Sequence, residues 1–181
     1  MDLPESKLKR GGLVNRTRAI AVTGFLTALS VILTRFASFR LPIGGIEGVR
    51  IGFGSMPSII AGVFLGPWYG AAAGALSDLL GHFLSPMGAY MPHFTLAAAL
   101  MGAIPGFVFC FLNAQQERAR ASIFQLGLAT FVGIAVVSWG VTPYFLHRLF
   151  GFDYRVIMPP RIIAGIAETL SYAFVLRAIY S

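Results

Sequence analysis

The chain has 181 residues, room for one domain, with 56% hydrophobic residues, 12% charged residues and a mean hydropathy of +0.75. Soluble domains carry about 25% charged residues, so this composition excludes a soluble globular fold and a soluble catalytic domain. With a net charge of +7, membrane lipid is the expected surrounding and no nucleic-acid partner is expected.

Residues 1–18 carry Lys7, Lys9, Arg10, Arg16 and Arg18 before a helix too long for a signal-peptide core, with no small-residue cleavage site after it. They are expected to stay as a basic cytoplasmic tail. Residues 19–181 read as a single all-α integral membrane domain of six spans, the longer ones near the roughly 20 apolar residues that cross a bilayer. The first span runs to about residue 36, with Gly24 and Ala28 four apart on one helical face. The second, 53–65, is shorter and stops at Gly66-Pro67, a pair that favours a tight turn. The third covers 68–84, the fourth 94–112 and the fifth 123–146. The sixth covers 159–179, with Pro159 and Pro160 expected in its first turn, where a missing amide proton costs little. The single Cys110 lies in an apolar run and can form neither an intramolecular disulfide nor a thiolate metal cluster.

Six spans put both termini on one side. Eight of the 14 Lys and Arg residues fall in the tail, in the 113–122 loop and at Arg177, so those segments are expected to face the cytoplasm, N-in and C-in. Arg35, Arg40, Arg50, Arg148, Arg155 and Arg161 face outward in this scheme. Outward arginines suit an anionic ligand arriving from outside, or else they snorkel to lipid phosphates or pair with Glu47 and Asp153. The longer connections, 37–52, 85–93 and 147–158, also lie outside, where segments that cover an entering ligand belong.

Several chemistries are missing. No Gly-x-x-x-x-Gly-Lys-Ser/Thr loop is present, so the chain is not expected to hydrolyse ATP itself. His82, His93 and His147 lie in separate segments without ligand spacing, and no Gly-x-Ser-x-Gly elbow occurs. Neither an enzyme, a metal site nor a cofactor is expected. Two carboxylates do fall inside predicted spans, Asp78 and Glu168. An acid at mid-membrane costs about 2.5–3.5 kcal/mol, so each should face the bundle interior. There each serves ligand or proton handling, or else an internal pair or cap. Glu168 lies seven residues after Arg161, two helical turns on, so both can look into one cavity. Gly62, Gly66, Gly70, Gly74, Ala97, Ala98, Ala99, Gly102 and Gly106 are small residues of the kind that let membrane helices approach closely. Gly24 and Ala28, next to the basic tail, suit a partner helix or an internal one.

Four segments together look familiar: Arg50-Ile-Gly-Phe followed by Pro57; Ala-Gly-x-x-x-Gly-Pro-x-x-Gly-x-x-x-Gly from Ala61 to Gly74; Ser-Asp-Leu-Leu-Gly from Ser77; and Pro-x-Gly-Ala-Tyr-x-Pro-x-Phe-Thr-Leu from Pro86. Over residues 24–176 the chain resembles the substrate-binding S components of energy-coupling-factor (ECF) transporters, most closely the folate-family members. The resemblance implies a six-helix bundle in a prokaryotic plasma membrane that captures a vitamin from outside. It further implies partners: a transmembrane coupling subunit of the EcfT type and two cytosolic ATPases. The family's first helix docks on its partner through a small-x-x-x-small motif, matched here by Gly24 and Ala28. Two departures stand out. The family's Tyr-Phe-Pro-Gly-Phe-Thr segment reads Tyr90-Met91-Pro92-His93-Phe94-Thr95 here, and Glu168 is an unexpected acid in the last span.

Folate has a flat pterin, an aromatic linker and a glutamate tail with two carboxylates. A buried carboxylate recognises an aminopyrimidine edge, which makes Asp78 the candidate for the pterin. Phe53, Tyr90, Phe94 and Trp139 are candidates for stacking. Arg50, Arg155 and Arg161, expected near the outer rim, suit the glutamate carboxylates, with Glu168 on the face of Arg161. Pantothenate or another vitamin is the alternative ligand. A stand-alone carrier relaying ions through Asp78 and Glu168 is a second reading, although no internal repeat supports it. A lipid-headgroup enzyme using Asp78, Glu168 and His93 is a third, without recognisable catalytic spacing.

Overall fold

A computed structural model describes residues 5–36, 38–43, 46–84, 90–112 and 123–180, with side chains at 16–36, 52–84, 90–112, 123–149 and 151–179. It contains helices α1 (Glu5–Phe36), α2 (Met56–Phe64), α3 (Pro67–Leu84), α4 (Pro92–Leu112), α5 (Ile123–Ile134), α6 (Thr142–Phe150) and α7 (Tyr154–Tyr180). A π-helical segment, Ala135–Val141, joins α5 to α6 in one continuous rod. Strands β1 (Ser38–Ile43) and β2 (Ile46–Gly52) pair antiparallel between α1 and α2, with a register shift at Leu41/Pro42, and a 3-10 turn at Phe53–Ser55 leads into α2. Helix therefore carries the fold, and the 37–52 connection holds a hairpin. Residues 85–89 of the expected outer 85–93 loop, and the 113–122 loop with Arg118 and Arg120, lie outside the described residues.

Among the described residues, four stretches are long and apolar enough to cross a membrane: Arg16–Phe36, Pro92–Leu112, Ile123–Leu149 and Tyr154–Ile179. Their large apolar side chains face outward; Phe25, Phe111, Phe124, Ile163 and Phe174 are each more than two-thirds exposed. Water disfavours such a surface and hydrocarbon accepts it. Inside, Ile59, Val63, Phe109, Leu126, Ala129, Ile134, Tyr172 and Leu176 form the main core between α2, α4, α5 and α7. The inner face of α1 buries four hydroxyl residues, Thr23, Thr27, Ser30 and Thr34, beside Leu26 and Val31. Thr23 and Thr27 hydroxyls return to carbonyls four residues back, at 2.7 and 2.8 Å, so hydroxyls are satisfied where water is absent.

Glycine sets how closely α2, α3 and α4 meet. A Cβ on Gly70 would lie 2.6 Å from the Gly62 Cα and would also strike the Gly102 carbonyl, and one on Gly102 would lie 2.5 Å from the Gly70 carbonyl carbon. No larger residue fits at either place without separating the helices. Between α2 and α3, Gly66 adopts φ +117°, which side chains disfavour, and Pro67 opens α3. The Gly66-Pro67 turn thus lies where the sequence pattern put it, and helix α3 covers the 68–84 stretch.

α2 has nine residues, about 14 Å of helix, under half of a hydrocarbon core about 30 Å thick. The 3-10 turn before it packs against α1 with Gly54 buried, so its peptide groups need partners. Side chains supply them. Ser30 of α1 donates to the Gly54 carbonyl at 2.5 Å, and Gly52 N–H donates to Glu168 of α7 at 3.1 Å. The Tyr172 hydroxyl, one turn further along α7, donates to the Gly52 carbonyl.

The last span starts earlier than its sequence pattern suggested. Asp153 caps α7: its Oδ1 accepts the Arg155 N–H at 3.0 Å and its carbonyl accepts those of Val156 and Ile157. With that cap in place the helix begins at Tyr154, so Pro159 and Pro160 sit in its interior and not its first turn. Gly151, at φ +68°, closes α6 by donating to the His147 carbonyl, so only three residues separate the two helices. The π segment has a similar local cause. Pro143 has no N–H to donate and its ring crowds the carbonyl four residues back, and widening the preceding turns relieves that contact.

Candidate functional site

The candidate residues fall into three groups around α4, which touches α3, the 3-10 turn, the π segment and α6. The first group joins α3 to the start of α4. Thr95 Oγ1 donates to Asp78 Oδ2 at 2.6 Å, and the Tyr90 hydroxyl lies 2.8 Å from Thr95 Oγ1. Threonine has one hydroxyl proton, committed to the carboxylate, so Tyr90 is the donor to Thr95. All protons in this chain thus point toward Asp78, and each bond polarises the next. Asp78 Oδ1 accepts no hydrogen bond among the described residues. Rings surround the group: His82 is 5.3 Å from Tyr90, and His93 is 4.4 Å from Phe94 and 4.9 Å from Phe145.

The second group lies where the π segment meets α7. Trp139 Nε1 donates to the Arg161 carbonyl at 3.1 Å, and Arg161 Nη1 reaches the Ser138 carbonyl at 3.5 Å. The indole lies over Gly165, where a Cβ would be 2.9 Å from its nitrogen. Phe131 meets the same indole edge-to-face at 5.5 Å. Arg161 is only 9% exposed. Seven residues of α7 precede it, so its guanidinium lies against the π segment and not at the helix's free end.

The third group is the hairpin's end, where Glu168 and Tyr172 hold the two polar atoms of Gly52 and the Phe53 ring lies 6.1 Å from that of Tyr172. Four residues separate Glu168 from Tyr172, so one face of α7 presents both. Arg161, Gly165 and Glu168 continue that face, placing the second and third groups along one stripe. Arg155 stands apart, exposed at the start of α7. Arg50 belongs to β2, opposite Arg40, and its side chain lies outside those described. Gly24 and Ala28 are both exposed on α1, and nothing lies within 4 Å of a Cβ placed on Gly24.

A sequence model of the "ECF-type riboflavin transporter, S component" family matches residues 14–180. The chain belongs to that family. It is therefore a membrane transport component, a class distinct from enzymes, whose members bind a vitamin and work with a transporter module. Among curated proteins, the folate transporter FolT of Clostridium novyi (strain NT) is 30% identical over 150 residues, covering 83% of this chain and 80% of that protein. Two solved structures share the S-component fold. "Crystal structure of FolT bound with folic acid" superposes with a TM-score of 0.73 at 24% identity, over 91% of this chain and 95% of the other. "Structure and mechanism of the S component of a bacterial ECF transporter" superposes at 0.65 and 24% identity, over 91% and 96%.

Thr95, Tyr172 and Gly52 were missing from the candidates read from sequence. Thr95 had a signal, since it closes the Tyr90–Thr95 motif and a hydroxyl beside a membrane carboxylate is its natural partner. Tyr172 had none, because its role depends on the hairpin's depth in the S-component bundle.

Proposed function

We propose that this S component binds folate or a closely related pterin vitamin. Asp78 carries the reading. Its Oδ1 is left to accept from an aminopyrimidine edge, while the Tyr90–Thr95 chain holds Oδ2 and fixes the carboxylate plane. Phe94 and Tyr90 of the first group, Trp139 of the second and Phe53 of the third supply flat surface for stacking. Arg161, Arg155 and Arg50 serve the glutamate carboxylates, and Glu168 acts mainly by anchoring the hairpin through Gly52. The 30% identical folate transporter supports the same ligand.

In this reading α1, α2 together with the 3-10 turn and hairpin before it, α3, α4, the α5–α6 rod and α7 make six crossings, with both termini in the cytoplasm of a prokaryotic cell. The exposed Gly24–Ala28 face of α1 docks on an EcfT-type coupling subunit, and two cytosolic ATPases drive release. Cells expressing the chain with a coupling module should take up labelled folate only when ATP is available, and the chain should copurify with the ATPases. Uptake by the chain alone, driven by an ion gradient, would replace this reading with the stand-alone carrier. Riboflavin is the second ligand to test, because the matching family is described by that vitamin.

A further inference from the structure

His93 is the second residue of α4 and is not needed for the packing described above. Its ring lies between Phe94 (4.4 Å, tilted 46°) and Phe145 (4.9 Å, tilted 35°), and Phe145 in turn meets Tyr144 edge-to-face at 5.8 Å. Two aromatic contacts fix where the imidazole sits. Its Nε2 is buried, yet it has no hydrogen-bond partner among the described residues. A buried nitrogen without a partner is a cost to the folded protein that a phenylalanine at the same place would not carry. Such groups are found where a ligand completes the bond.

The position fits. His93 and Thr95 lie on opposite flanks of α4, about 200° apart at 100° per residue, with Phe94 between them. Thr95 fixes Asp78 on one flank. We infer that His93 Nε2 hydrogen-bonds the bound vitamin, so that a flat heteroaromatic group over Phe94 meets Asp78 along one edge and His93 along another. This inference rests on the vitamin-binding reading above. It adds a ligand contact whose removal favours the empty protein and weakens the loaded one.

The test compares wild type with His93→Phe, which keeps the ring contacts and removes the nitrogen, and with His93→Gln, which restores a side-chain donor and acceptor. Folic acid and riboflavin are titrated into each purified protein in detergent, and the melting temperature is measured without ligand. Expected are about tenfold weaker binding in His93→Phe, an unchanged or raised melting temperature, and recovery to within about threefold in His93→Gln. Should His93→Phe fail to purify as a monodisperse protein, His93→Leu takes its place. Wild-type binding with an equal affinity in His93→Phe overturns the His93 contact and leaves the vitamin reading standing. Failure of wild type to bind either vitamin overturns both.

Discussion

Gly102→Ala places one methyl group into the junction of α2, α3 and α4. The added carbon would lie 2.5 Å from the Gly70 carbonyl carbon and 3.2 Å from its Cα, and it would also overlap the Gly70 carbonyl oxygen. Comfortable carbon contacts begin near 3.5 Å, so α3 and α4 must separate by about 1 Å. No flexible side chain can yield, since every atom struck is backbone. Overpacking costs about 1–3 kcal/mol, and backbone contact puts this case at the upper end. Helix propensity favours the change by at most about 1 kcal/mol and does not offset it. For a chain of this size the melting temperature should fall by about 5–10 °C. Gly24→Ala is the control: the same methyl, in the same kind of helix, meets nothing within 4 Å, so stability should hold or rise slightly. Intrinsic fluorescence of Trp68 and Trp139 during heating in detergent reads both. Equal melting temperatures for Gly102→Ala and Gly24→Ala would refute the close-approach reasoning.

Three further outcomes follow from the site. Asp78→Ala should weaken vitamin binding by more than about tenfold while Thr95→Val weakens it less, since charged hydrogen bonds contribute more than neutral ones; unchanged calorimetric affinity in Asp78→Ala would remove Asp78 from the site. Tyr172→Phe keeps the ring beside Phe53 and removes the bond to Gly52, so stopped-flow dissociation of the vitamin should quicken by about fivefold; an unaltered rate would mean that the hairpin anchor does not govern release. Ala28→Leu should leave vitamin binding intact and abolish both uptake and copurification with the ATPases, and normal uptake would place docking elsewhere.

The membrane character and the helices from the third to the fifth span were legible because long apolar runs and a Gly-Pro turn are local signals. The glycine packing of α2 to α4 was legible for the same reason. The hairpin has a local signal within the 37–52 connection: Phe39, Leu41 and Ile43 alternate with other residues up to Gly44-Gly45, the pattern of a two-residue hairpin. The start of α7 was misplaced because two prolines look like a helix start, while the deciding signal was Asp153, an N-cap five residues before the first proline's own turn would need one. Asp78 and Tyr90 stand out in the sequence by residue type and motif, and the fold links them through Thr95. The clamp of Glu168 and Tyr172 on Gly52 has no such signal, because it depends on a contact 116 residues away in sequence, to which no local pattern points. Glu168 in particular changes character: an acid that looked anomalous in a membrane helix satisfies a peptide N–H inside the bundle.

The most direct test of the central claim is a titration of the purified chain, alone in detergent, with folic acid and with riboflavin, followed by calorimetry and by the intrinsic fluorescence of Trp68 and Trp139. Saturable one-to-one binding of folic acid, with riboflavin at least about a hundredfold weaker, is the predicted result. Tight binding of riboflavin with none of folic acid would contradict the pterin assignment of Asp78.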